Sequence, residues 1–86
     1  MQNLIISFKS RNDIFSFSRL LQHHGIANST ISTPRNIGSP CSLSIKCTTQ
    51  HLEKIKSLLS KTRPHTFNGI FLIASTNFGE QITKLL

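Results

Sequence analysis

Cys41 and Arg35 are the residues of this chain best placed by type and spacing to do chemistry. They share one short loop, TPRNIGSPCS, between two runs that read as strands. A cysteine acts as a nucleophile through its thiolate, and a guanidinium on the same loop favours that ionised form. Backbone N–H groups of a turn through Gly38 and Ser39 add to the same field. Pro34 and Pro40 stiffen the loop and Gly38 permits a turn closed to other residues, so Ile37, Cys41 and Ser42 stand in a defined segment. A structural reading competes. Cys41 continues the parity of Leu43, Ile45 and Cys47, and a half-buried cysteine there plugs the top of the core. Spacing alone leaves both readings open.

Other cysteine chemistries fit poorly. Six residues of extended chain hold Cys41 and Cys47 about 20 Å apart, beyond the roughly 7 Å that a disulfide tolerates between Cα atoms. Two thiols fit a reducing compartment. Cys41, Cys47 and His51 lack the spacing of a zinc ligand set, and His23, His24 and His65 lie elsewhere, so we expect no metal and no cofactor. A thiol protease needs a histidine and an orienting group converging on the cysteine, and no sequence spacing indicates that.

The elements that must position the loop are legible from periodicity. NLIISF, residues 3 to 8, is a continuous apolar run of the kind found in a central strand. Ser10 followed by Asp13 resembles a helix N-cap with its acidic partner, Ile14, Phe17, Leu20 and Leu21 recur at helical spacing, and Gly25 ends the helix. IANSTIST, 26 to 33, suits a polar edge strand. SLSIKC alternates, with Leu43, Ile45 and Cys47 on one face and Ser42, Ser44 and Lys46 on the other. Thr48 or Thr49 can cap a second helix striped by Leu52, Ile55, Leu58 and Leu59, and Pro64 closes it. TFNGIFLIA, 66 to 74, reads as a last strand.

The order strand, helix, strand, strand, helix, strand predicts an α+β, ferredoxin-like βαββαβ sandwich. Its four-stranded antiparallel sheet would carry the first and third strands at its centre and both helices on one face. We take residues 1–74 as one domain and 75–86 as a C-terminal tail, in which Ile82, Leu85 and Leu86 either make one docking helical turn or fray. No run of about 18 apolar residues occurs, which excludes a spanning helix, and MQNLIISFKS has neither basic leader nor cleavage site. A cytoplasmic protein is expected.

Ten Lys and Arg against three acids leave a net charge of +7. That balance invites nucleic acid. An RNA-binding module on this fold would stack bases on aromatics of its central strands, and SLSIKC has none, so RNA is the weaker rival. A second alternative is a regulatory or interaction module whose polar second strand pairs across a dimer interface.

FKSRNDIFSFSRLLQHHGI at 8–26 and PRNIGSPCSLSI at 34–45, with FNGIF in the last strand, resemble the putative selenium/sulfur carrier protein-like family of small bacterial proteins. Its signature is an aromatic-then-Ser start to the first helix, Gly-Ile at its end, and a Pro-Arg-x-Ile loop leading to Cys-Gly. The resemblance implies that Cys41 bears sulfur or selenium, as a persulfide or its selenium counterpart, between a donor and an acceptor protein. Arg35 would be its charge partner. Such a protein is a carrier rather than a stand-alone enzyme. The family's glycine after the cysteine is Ser42 here, which denies that position a glycine-only backbone.

Overall fold

The computed structural model describes residues 2–38 and 41–86, with Asn36 described by its backbone only. The chain forms β1 (Gln2–Phe8), α1 (Arg11–His23), β2 (Asn28–Ser32), β3 (Leu43–Thr48), α2 (Leu52–Thr62), β4 (Phe67–Thr76) and β5 (Gly79–Lys84). All strands join one antiparallel sheet in the order β2-β3-β1-β4-β5. Among the described residues the architecture is therefore α+β, with two α-helices and five strands rather than the four expected. The correction lies at the C-terminus. Residues from Ser75 onward make no helical turn; they finish β4 and return as β5, with Ile73 opposite Ile82.

The apolar run of β1 is central because it pairs on both edges, with β3 in the register Ile6↔Ile45 and with β4 in the register Ile6↔Ile70. Its alternate residues Leu4, Ile6 and Phe8 meet the buried stripes of both helices, Ile14, Phe17 and Leu21 from α1 and Ile55, Leu58 and Leu59 from α2. Both helices therefore cover the same face of the sheet. Each such side chain contributes about 1.5–3 kcal/mol by leaving water. Phe8 anchors the aromatic part, with ring centroids 5.4 Å from Phe17 and 5.8 Å from Phe67.

Helix α1 ends as its sequence predicts. Gly25 takes φ 76°, its N–H donates to the Gln22 carbonyl, and that of Ile26 donates to Leu21 at 2.9 Å. That pair of bonds is a Schellman closure, sealed by burial of both Leu21 and Ile26. Its start differs from expectation. Ser10 is extended and in the N-cap position but makes no side-chain cap bond. The Asp13 carboxylate instead accepts the Thr66 hydroxyl, tying the first turn of α1 to the approach to β4. Neither threonine caps α2: a 3-10 turn over Thr49–His51 leads in, and His51 holds the cap position.

The helix-free face is also apolar. Ile5 and Phe71 are buried there, flanked by half-buried Ile31, Ile73 and Ile82. Only one piece of chain outside the sheet joins that cluster among the described residues, and it is Ile37 of the β2–β3 loop.

Candidate functional site

Thr33 closes the base of the β2–β3 loop. Its N–H donates to the Ser42 carbonyl at 2.8 Å, extending the β2–β3 ladder by one rung past Ser32↔Leu43. Its hydroxyl lies 3.0 Å from the Cys41 carbonyl oxygen, to which it donates, and 2.6 Å from the Ser44 hydroxyl. A hydroxyl carries one hydrogen, so Thr33, having given its own to Cys41, accepts from Ser44. Ser44 is fully buried, and this bond satisfies its hydroxyl. The backbone of Cys41 is thus held from a residue on the opposite strand.

The loop then lies back over the helix-free face. Pro34 precedes a 3-10 turn at Arg35–Ile37, closed by Gly38 in the left-handed region at φ 66°. No atom approaches a Cβ built on Gly38, so the requirement for glycine is the backbone angle rather than space. Ile37 is 8% exposed and packs on Ile5 and Phe71. Beside Pro34 a cavity of about 150 Å³ opens, floored by Ile5, Ile31 and Ile73, with Lys46 and Glu80 at its rim. Arg35 is exposed at the start of the turn. Ser39 and Pro40, which the sequence assigns to the turn and to its stiffening, lie outside the described residues.

At its far end the loop returns to the other side of the sheet. Cys41 is half-buried and packs against the helix-side core, as its parity with Leu43, Ile45 and Cys47 predicts. Arg35 and Cys41 therefore sit at opposite ends of a loop that crosses from one face to the other. Ser42 is exposed, and its φ is not positive, since Arg63 is the only described non-glycine residue in that region. The backbone at 42 does not require the family's glycine.

The second thiol differs. Cys47 is 4% exposed, within the core cluster, and burial pushes its pKa from 9.0 up to about 11. Desolvation penalises the charged thiolate and leaves the neutral thiol, a poor nucleophile. Among the described residues no group of three histidine, cysteine or acidic side chains gathers in a metal-binding arrangement. Nor is any described helix long and apolar enough to cross a membrane.

Two contributions escaped sequence reasoning. Thr33 opens the loop with no role that its sequence neighbours reveal, and Ile37 is a loop residue whose packing surface the sequence does not show. Both depend on register and on which sheet face the helices leave bare. A β-branched hydroxyl directly before proline at a strand end was the available signal for Thr33.

No curated protein and no solved structure is matched by the chain. A family comparison does match, over residues 3–78, a span that runs from β1 through β4 and includes the whole β2–β3 loop. The chain belongs to the family described as Putative Se/S carrier protein-like.

Proposed function

We propose that this protein carries sulfur or selenium on Cys41 between partner proteins. The observation that carries the reading is the contrast of its two thiols: Cys47 sits in the core with its pKa raised by burial, while Cys41 stands at the rim of the described loop with its carbonyl pinned by Thr33. In the loading step the Cys41 thiolate attacks the outer sulfur of a donor persulfide. The donor S–S bond breaks, its electron pair leaves on the donor thiolate, and a new S–S bond forms at Cys41. Discharge reverses this. An acceptor thiolate attacks the outer sulfur, and the electron pair returns to the Cys41 sulfur. No net oxidation occurs, so the exchange needs no metal or organic cofactor. A selenium atom in the outer position follows the same course.

In this reading Arg35, exposed at the start of the loop, offers its positive charge to an approaching anionic partner, and the Thr33 lock fixes where the sulfur emerges. The sequence of strands and helices through β4 supports a ferredoxin-like unit to which β5 is added at one edge. Sulfur exchange of this kind belongs in a reducing compartment, which the cytoplasm supplies.

The test is loading. The reduced protein is treated with a small-molecule persulfide donor and weighed intact, beside Cys41→Ser and Cys47→Ser. The parent and Cys47→Ser should each gain one sulfur atom, which an added thiol acceptor removes. Loading of Cys41→Ser to the same extent would refute the assignment.

A further inference from the structure

The positive charge of this molecule is not evenly spread. The two helices with their flanking residues hold seven of the ten Lys and Arg, against two acids, Asp13 and Glu53. Both acids are engaged locally, Asp13 by the Thr66 hydroxyl and Glu53 by Lys56 at 4.0 Å. The helix layer therefore carries a net excess of positive charge, seven cations against two acids.

Within it, α1 has a more particular arrangement. Arg11, Phe15, Arg19 and His23 recur at four-residue intervals and are all exposed, forming one stripe on the side of the helix away from the sheet. Phe15 is 46% exposed, whereas Phe17, two residues on, is 5% exposed in the core. A rise of 1.5 Å per residue places each arginine about 6 Å along the axis from the phenylalanine, one turn above and one below it. An accessible aromatic ring between two guanidinium groups is the combination that holds an unpaired base and its flanking phosphates.

We propose that this outer stripe of α1 binds single-stranded RNA, with Phe15 stacking a base and Arg11 and Arg19 meeting the phosphates on either side. A membrane surface fits less well, because a lone exposed Phe in an otherwise polar face buries too little apolar area for interfacial binding. Duplex nucleic acid offers no splayed base for the ring. The exposed amide and hydroxyl groups beside the stripe, Asn12, Ser16 and Gln22, are able to bond the ribose 2′-hydroxyl, a partner that DNA lacks. The surface lies on the side of the helices away from the sheet and so differs from a base platform borne on the central strands. It stands apart from Cys41 and does not depend on the carrier reading.

The experiment is fluorescence anisotropy with an unstructured mixed-sequence RNA of about twelve nucleotides, titrated at several salt concentrations. Phe15→Ala should weaken binding about tenfold. The Arg11→Ala/Arg19→Ala pair should flatten the plot of log affinity against log salt by about 1.4, two phosphate contacts at about 0.7 each. Lys46→Ala/Lys84→Ala, which removes the same charge from the helix-free face, should leave both values near those of the parent. Equal losses from the two double variants would show a diffuse field and overturn the site, as would a Phe15→Ala variant that binds like the parent. Equal affinity for DNA of the same sequence would overturn RNA as the occupant.

Discussion

Cys41 and Cys47 lie six residues apart, point to the same side of the sheet and touch the same core, yet the fold treats them oppositely. Cys47 stands within β3, opposite Leu4 of the central strand, and is sealed beneath the helices. Cys41 stands one turn of pleat before β3 begins, at the margin of that core, where the chain has just crossed from the helix-free face. Parity along a strand fixes direction, but depth in the layer decides whether a thiol can react. The loop supplies that depth difference. Its two anchors, Ile37 on one face and Thr33 at its base, hold Cys41 at the rim.

Removing the first anchor should blur the comparison most. Ile37→Ala strips a nearly buried side chain from the Ile5–Phe71 cluster and should cost about 2–3 kcal/mol in urea unfolding, toward the low end for a core isoleucine because the loop can partly relax. The same variant should speed the exchange of the backbone amides of Thr33 and of residues 35–38 without altering those of β1, read by hydrogen exchange.

The pH response sharpens the other half of the comparison. Burial raises the Cys47 pKa from 9.0 to about 11, so between these values the unfolded chain has lost a proton that the folded chain still holds. Stability is then complete below about pH 9, falls as pH rises through about 11, and loses up to about 2–3 kcal/mol from this group. Unfolding of Cys47→Ala should lack that component, whereas Cys41→Ser should retain it.

A smaller effect is expected from the second anchor. Thr33→Val keeps the shape but removes the hydroxyl that serves the Cys41 carbonyl and the buried Ser44. Leaving Ser44 without that partner should cost about 1–2 kcal/mol in denaturant unfolding. Thr33→Ser should recover most of it, because it restores the hydroxyl.

Much of this contrast was readable beforehand where a pattern is local. The continuous run of β1, the alternation in SLSIKC and the stripes of both helices located the core and buried Cys47, because each depends only on period. Gly25 announced its helix end because left-handed backbone there excludes almost every other residue. The strand β5 was hidden, since GEQITK holds one apolar residue, Ile82, and an edge strand facing a largely open surface needs no more. The Ser10–Asp13 pairing misled because Asp13 had a better partner in Thr66, far away in sequence. The position of Ile37 could not be read at all, because the chain does not state which sheet face the helices will leave uncovered.

The most direct measurement is alkylation of the native protein by iodoacetamide, followed by peptide mapping of each cysteine over time. Cys41 should be labelled in the folded protein while Cys47 stays unmodified until denaturant is added. Equal labelling of the two thiols, or labelling of Cys41 only on unfolding, would contradict it.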